Sequence, residues 1–162
     1  MIRDALIAAP AAIKKTKLNR KNPRRRSREL VLQGLYQWRL AQGATQVIEE
    51  QLCETSEFAK TDKEYFSVLL RGVLANSTAL ETQIQLFLDR PLRELSPVEF
   101  AILLLGTYEL TSRPEIPHQV IINEAIELAK TFGGPDGHKY VNGVLDKLAE
   151  HLRIKNSAAI II

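Results

Sequence analysis

Cysteine and long apolar runs are both scarce in this sequence. Cys53 is the single cysteine among 162 residues, so no internal disulfide can form, and this is typical of a protein from a reducing compartment. No apolar run approaches the roughly 20 residues that a membrane-spanning helix needs. The segment Ala5–Ile13 is a poor match to a signal peptide, because it is short, follows an acid and runs into a basic block. We therefore expect a cytoplasmic protein that does not enter a membrane.

The groupings of residues that catalysis and metal binding require are also missing. The three histidines, His118, His138 and His151, have neither the i, i+4 spacing nor the cysteine partners of a metal site. The nucleotide-binding patterns GxGxxG and GxxxxGKS/T do not occur, and Gly133-Gly134 is better explained as a helix end than as a phosphate loop. We expect no enzymatic activity, no metal and no cofactor.

Strand patterns are lacking as well, since no segment alternates apolar and polar residues with period two. Apolar residues recur instead at helical spacing, which predicts an all-α fold of about seven helices in two packed helical bundles. Helices are expected at about 24–42 and 45–58, after Asp62, at 78–88, and after Ser96, Pro117 and Asp136. A single bent helix across Asn76-Ser77-Thr78 is the alternative to a break there.

Local capping signals place several of these helix ends. Ser96-Pro97-Val98-Glu99 offers an N-cap serine, a proline at the first helical position and a glutamate at the third, and the apolar helix that follows should be central and buried. Thr78-x-x-Glu81 resembles a second capping box. Gly133 is expected to end its helix in the left-handed conformation.

The domain layout predicted from these features has three parts. A flexible basic extension occupies 1–23, a helical body occupies 24–155 with subgroups at about 24–75 and 76–155, and a short tail occupies 156–162. Residues 1–28 hold ten Lys/Arg and one Asp, whereas 29–162 hold 12 basic and 18 acidic residues. This distribution favours a basic arm that binds a polyanion and is attached to an acidic body.

Four arginines, Arg24, Arg25, Arg26 and Arg28, fall on the first turn of the first predicted helix, where positive charge opposes the helix dipole. Arginine binds phosphate through paired hydrogen bonds and can stack on unpaired bases. We therefore hypothesise that this arm binds single-stranded RNA. A solubilising or non-specific tail is the alternative.

The first predicted helix has apolar residues on two faces. One face carries a core stripe that includes Leu30 and Leu35, and the other carries Leu32, Tyr36 and Leu40. The second stripe is either further core, covered by another helix, or an exposed patch of the kind that marks a partner site.

Five segments together resemble the NusB family of bacterial transcription antitermination factors, over about Arg24–Leu152. They are RRRSRELVLQGLYQW, GVLANS, LSPVEFAILLLGTYEL, INEAIELAKTFGG and HKYVNGVLDKLA. The resemblance implies an all-helical fold of two packed bundles and a small cytoplasmic RNA-binding protein. It also implies that the protein pairs with NusE, a ribosomal protein, recognises boxA in nascent ribosomal RNA, and joins an RNA polymerase elongation complex with other Nus factors.

The resemblance also implies roles for particular residues. The implied RNA-binding residues are Arg24, Arg25, Arg26, Arg28, Asp136, Lys139 and Tyr140. The implied NusE interface consists of Leu32, Tyr36, Leu40 and Glu99. The sequence departs from the family pattern at Arg93, where an acid is common, and in its longer extension before Arg24, which either adds RNA affinity or reflects an extended gene start.

Two further possibilities remain open at this stage. A NusB-like fragment of a ribosomal RNA cytosine methyltransferase would bind S-adenosylmethionine, which calorimetry can detect. A NusB-like dimer with an occluded RNA surface would be visible by light scattering. The chain is accordingly expected to be a monomer or a homodimer.

Overall fold

The structure is a computed structural model that describes residues 22–41 and 43–161, with side chains as far as Asn156. Within these ranges it contains seven α-helices, two short 3-10 helices at Ser56–Lys60 and Leu92–Glu94, and no strand. The α-helices are α1 Pro23–Ala41, α2 Thr45–Cys53, α3 Lys63–Ala75, α4 Ser77–Gln85, α5 Pro97–Ser112, α6 His118–Phe132 and α7 Gly137–Ile161. The all-α prediction is confirmed, whereas residues 1–21 of the predicted extension, which was expected at 1–23, lie outside the described residues.

Helix α5 is the centre of the fold, as its almost uniformly apolar sequence predicts. It packs against α1, α3, α4, α6 and α7. The Ser96 hydroxyl accepts a hydrogen bond from the backbone N–H of Glu99, and Pro97 occupies the first helical position. Because α5 contacts five other helices, its side chains form the shared centre of the hydrophobic core.

The chain breaks at Asn76, as predicted, between α3 and α4. The Asn76 backbone N–H caps α3, and its side-chain amide donates to the Gly72 carbonyl at 2.7 Å. The predicted capping box at Thr78 is wrong, because α4 already begins at Ser77 and Thr78 lies inside it. Asn76 thus satisfies carbonyls at the end of α3, whereas its side chain makes no capping hydrogen bond to α4.

Helices α2 and α4 are both shorter than predicted. Helix α2 ends at Cys53 and gives way to the 3-10 turn, while α4 ends at Gln85. The Gln85 side chain then holds the following loop: its Oε1 accepts from the Leu92 N–H at 3.0 Å and its Nε2 donates to the Arg90 carbonyl at 3.2 Å. A polar side chain that satisfies loop backbone groups in this way stops the helix from continuing.

Gly133 ends α6, but not by the mechanism expected from the sequence. Its φ is −95°, so the left-handed cap predicted there is wrong. A Cβ at this position would lie 2.7 Å from the Ala129 carbonyl oxygen, which no ordinary side chain tolerates. Glycine is therefore required for close approach rather than for a positive φ.

The hydrophobic core runs without interruption from α1 and α3 through α5 to α6 and α7. Helix α7 continues to Ile161, so residues 156–161 extend the last helix instead of forming a separate tail. Across the described ranges, no helix combines the length and the apolar character that crossing a bilayer requires. The same ranges contain no cluster of three His, Cys, Asp or Glu residues that could hold a metal ion.

Candidate functional site

The first turns of α1 carry the arginine block, and its last member is buried. The Arg28 side chain is 4% exposed, and its Nε and Nη2 donate to the two carboxylate oxygens of Glu109 at 2.9 Å each. The Tyr65 hydroxyl also donates to Glu109 and accepts from Arg28 Nη2 at 3.1 Å. Burial is the largest single effect and favours loss of the Arg28 proton, but the hydrogen bonds and charge of Glu109, with smaller contributions from Tyr65 and Glu124, together outweigh it and raise the pKa of Arg28.

A second carboxylate joins this group from α6. Glu124 accepts from Arg25 Nε at 2.9 Å, and its Oε1 lies 3.5 Å from Arg28 Nη1. The Arg25 and Glu124 side chains are 18% and 12% exposed, so water reaches little of this pair. The ionic cluster, as we call Arg25, Arg28, Tyr65, Glu109 and Glu124, therefore ties the start of α1 to α3, α5 and α6.

The other two arginines lie at the margin of the ionic cluster. Arg26 is 6% exposed, with its Nη1 at 3.8 Å from Glu57, whereas Arg24 is exposed. The Arg24 guanidinium lies 4.3 Å from the centre of the Tyr65 ring, and its Nε lies 3.7 Å from Asp62. Arg24 is thus the most accessible of the four, although it already contacts the body.

The prediction that all four arginines contact RNA is wrong for Arg26 and Arg28, which are buried. The positive charge that opposes the α1 dipole is compensated by carboxylates from the body. The sequence signal for this pairing is Glu109, an acid in the apolar part of α5 beyond its first turn, because a buried carboxylate requires a partner. RNA contact stays a prediction for the exposed Arg24 and for the less exposed Arg25.

The opposite end of α5 borders a surface cleft of about 640 Å³. Its lining comes from the start of α5, the loop after α4 and the turn between α6 and α7. The lining residues are Arg90, Glu99, Gly134, Pro135, Asp136, Gly137, Lys139 and Tyr140. The structure therefore brings together Asp136, Lys139 and Tyr140, which were predicted to bind RNA, and places Glu99 beside them.

Glu99 approaches the α6–α7 turn closely. A Cβ added to Gly137 would lie 2.9 Å from Glu99 Oε2, so the glycine leaves room for this carboxylate at the start of α7. Asp136 and Lys139 are exposed and form an ion pair at 3.6 Å, which water screens. Neither side chain of this pair is committed to the core, so both are available to a ligand.

Arg90 lines the cleft although the sequence did not indicate it, and Asp89 contacts Arg90. The Arg90 guanidinium lies 4.6 Å from the centre of the Tyr140 ring, and Asp89 Oδ1 is 3.0 Å from Arg90 Nε. The Tyr140 hydroxyl donates to the same Asp89 oxygen at 3.1 Å. The hydrogen bond from Arg90 lowers the pKa of Asp89, while partial burial raises the pKa of Tyr140. A loop arginine before Pro91 carries no helical pattern, which explains why it was missed.

The predicted partner stripe on α1 is divided by the structure. Leu32 is 0% exposed, so its prediction as an interface residue is wrong, and it belongs to the core. Tyr36 is half-buried and Leu40 is 57% exposed. The Arg39 guanidinium lies 4.3 Å from the centre of the Phe100 ring, so the end of α1 adjoins the start of α5. Leu40 and Glu99 consequently lie at the same end of the molecule.

The residues predicted to bind RNA thus fall into two groups. Arg24 lies with the ionic cluster beside Glu109, whereas Asp136, Lys139 and Tyr140 lie at the cleft beside Glu99. The two glutamates are ten positions apart on α5, so about 15 Å along the helix axis separates them. The structure does not bring the arginine block and the cleft into one site.

Comparison with known proteins gives consistent matches. A family model described as NusB family matches residues 25–150. A relative from Nitrosomonas eutropha, named transcription antitermination protein NusB, is 65% identical over 133 residues, which are 82% of this chain and 80% of that protein. The solved structure of T. maritima NusB superimposes with a TM-score of 0.70 at 35% identity, covering 80% of this chain and 92% of the other.

A further structure shares the fold at lower identity. It is described as antitermination factors NusB and NusE in complex with dsRNA, and it matches with a TM-score of 0.67 at 22% identity. The alignment covers 78% of this chain and 96% of that one. At this identity the match supports the fold alone.

Proposed function

The chain belongs to the NusB family of transcription antitermination factors, and from that premise we propose that it binds boxA-type single-stranded RNA together with NusE and joins an RNA polymerase elongation complex. The observation that carries the proposal is the cleft at the start of α7, where Lys139, Arg90 and Tyr140 meet. Two cations and an aromatic ring are the groups that bind the phosphates and unpaired bases of RNA. We place the proposed activity in the cytoplasm, where nascent ribosomal RNA is made.

The basic extension supplies the long-range attraction in this proposal. Residues 1–21 carry six Lys/Arg and one Asp and lead directly into α1 at Asn22. The ionic cluster fixes the start of α1, so the extension joins the body at a defined place, next to the exposed Arg24. Counterion release by these cations would add affinity that weakens with salt and does not depend on base sequence.

The NusE surface in this proposal is the end of the molecule that carries Leu40, Tyr36 and Glu99. An isolated exposed leucine beside a half-buried tyrosine gives a small apolar contact, and Glu99 adds a carboxylate at its edge. The solved NusB–NusE structure with RNA motivates this pairing, although the RNA there is double-stranded. A protein contact adjacent to an RNA cleft lets two modest interfaces act together.

The proposal is tested by measuring RNA affinity with and without NusE. We expect weak binding of boxA RNA by this chain alone and much tighter binding once NusE is present. Equal affinities in the two titrations would overturn the joint recognition. Single-stranded boxA should also compete better than its duplex, because a duplex hides the base edges and faces.

Lys139 provides a matched test of the cleft within one helix. Lys139→Ala should weaken RNA binding a few-fold and reduce the slope of log K against log[salt] by about 0.7, the value for one phosphate contact on a single strand. Lys155→Ala is the control, because Lys155 is also exposed but lies 16 residues, about 24 Å, further along α7. Equal losses from both variants would indicate non-specific attraction and exclude the cleft as the RNA site.

The methyltransferase alternative is not favoured, since the relatives that match over most of their length are named as antitermination proteins. A dimer with an occluded RNA surface would show RNA affinity that falls as protein concentration rises. Light scattering at those concentrations would identify it directly.

A further inference from the structure

We propose that Arg90 is a preformed stacking platform, on whose guanidinium one unpaired base of the bound RNA stacks. The proposal rests on the proposed RNA-binding function and adds to it a residue that the sequence did not indicate. It also assigns that residue one kind of contact, a base face rather than a phosphate. The supporting observations are the contacts that hold the Arg90 backbone and side chain at the edge of the cleft.

The backbone at Arg90 and just after it is held in place by α4. Gln85 Nε2 donates to the Arg90 carbonyl at 3.2 Å, and Gln85 Oε1 accepts from the Leu92 N–H at 3.0 Å. A loop that begins immediately after a helix and is pinned at two backbone groups has few conformations open to it. The position of Arg90 relative to α7 is therefore set before any ligand arrives.

The side chain of Arg90 is held by two further contacts. Its guanidinium lies over the Tyr140 ring at 4.6 Å from the centre, and its Nε lies 3.0 Å from Asp89 Oδ1. Asp89 in turn accepts from the Tyr140 hydroxyl at 3.1 Å, so the three side chains form a closed group. The Arg90 side chain nevertheless remains 46% exposed and lines the cleft.

This arrangement suits a base better than it suits a phosphate. Asp89 already occupies one edge of the guanidinium with negative charge, which works against a second anion. One face of the planar group already lies over the Tyr140 ring, so the base would stack on the opposite face, since arginine planes, like aromatic rings, accept unpaired bases. Because the side chain is already ordered by Tyr140 and Asp89, less conformational entropy is lost when a base binds.

Substitutions at Arg90 separate stacking from charge. Arg90→Ala should weaken binding of single-stranded boxA RNA, with NusE present, by about tenfold, which is within the range for loss of one stacked base. Arg90→Lys should lose nearly as much affinity while keeping the salt dependence of the unchanged protein, since lysine has the charge but no plane. Arg93→Ala is the control, because Arg93 is exposed in the neighbouring 3-10 helix Leu92–Glu94 but does not line the cleft, and this variant should bind within about twofold of the unchanged protein.

RNA with a single abasic site at each position in turn identifies the base. An abasic site at one position should lower the RNA affinity of the unchanged protein about tenfold. The same site should hardly lower the affinity of Arg90→Ala, because the substitution has already removed that contact. A purely structural role of Arg90 predicts additive losses at every position and would overturn the proposal. Full affinity of Arg90→Lys would overturn it as well.

The failure of this proposal is distinguishable from failure of the proposed function. If the unchanged protein binds RNA and Arg90→Ala binds equally well, only the platform is excluded. If the unchanged protein does not bind single-stranded RNA at all, with or without NusE, both proposals are excluded.

Discussion

The two ends of α5 use charged side chains in opposite ways. Near its C-terminal end, Arg28 and Glu109 are almost wholly buried and satisfy one another, together with Tyr65. Near its N-terminal end, Lys139, Arg90 and Asp136 remain open to solvent around a cleft. A charge therefore shows its role by its burial and its partners, and a run of arginines in the sequence is not by itself a binding surface.

The largest expected effect is on stability and comes from the buried end. Arg28→Ala leaves the Glu109 carboxylate buried without its cation, which should lower the free energy of unfolding by about 3–5 kcal/mol. Urea denaturation followed by circular dichroism measures this loss. Arg71→Ala is the control. Arg71 also donates from Nε and Nη2 to a glutamate, Glu49, but its side chain is 71% exposed, so the urea midpoint of this variant should hardly move.

The assignment of a structural role to the buried end of α5 is contradicted if Arg28→Ala unfolds at the same urea concentration as the unchanged protein. That result would mean that the ionic cluster contributes nothing to the fold and that the arginine is free for another ligand. A double variant, Arg28→Met with Glu109→Leu, sharpens the test, because removing both charges should restore most of the stability.

The second expected effect concerns Tyr65 and depends on pH. Burial and the nearby Glu109 raise the pKa of Tyr65 above its ordinary value near 10. The neutral hydroxyl therefore stabilises the fold fully below pH 10, and this contribution is lost as the pH rises from there toward the folded-state pKa.

Tyr65→Phe removes the hydroxyl and tests this dependence. At pH 8 Tyr65→Phe should lower the free energy of unfolding by about 2 kcal/mol, as for loss of a hydrogen bond to a charged group. At pH 11 the difference in unfolding free energy between this variant and the unchanged protein should be smaller by about 1 kcal/mol. Urea titrations at the two pH values measure it. A difference that stays constant from pH 8 to pH 11 would show that the hydroxyl does not titrate with folding.

The sequence predicted most of the fold because its helix signals are local. Ser96-Pro97 fixes the start of α5, and Asn76 breaks the chain between α3 and α4. Uniform apolarity correctly placed α5 at the centre. The helix ends at Cys53 and Gln85 were missed, since they depend on contacts made by the following loops.

The candidate site was less predictable, for a physical reason. Arg28 is buried in an ion pair with Glu109, which is 81 positions away in the sequence. Only the antiparallel packing of α1 on α5 brings the two residues together. Leu32 was placed on an outer face because α1 alone shows two apolar faces, whereas packing buries both near its middle. Local patterns cannot report which charges meet across the core.

A smaller effect is expected on partner binding at the exposed end. Leu40→Ser should weaken NusE binding about five- to tenfold, roughly 1 kcal/mol, because a half-exposed leucine becomes buried in the complex. Calorimetric titration with NusE measures it. Ile154→Ser is a matched control, since Ile154 is 59% exposed on the far part of α7. Similar losses for both variants would place the NusE surface elsewhere.

The smallest effect is expected at Arg24, the exposed member of the arginine block. Arg24→Ala should leave the urea midpoint unchanged, weaken RNA binding only slightly, and reduce the salt slope by about 0.7. Filter binding at several salt concentrations measures it, with Arg71→Ala as an exposed arginine outside the site. A tenfold loss of RNA affinity would move the main RNA contact from the cleft to the arginine block.

The most direct measurement is the NMR spectrum of the arginine side-chain Nε–H groups during titration with boxA RNA and NusE. In Arg28, this group donates to Glu109 within the core, whereas in Arg90 it lies at the edge of the cleft. We predict that the Arg90 signal shifts on RNA binding while the Arg28 signal stays where it is. A shift of the Arg28 signal while the Arg90 signal stays in place would contradict the division of α5 into a structural end and a binding end.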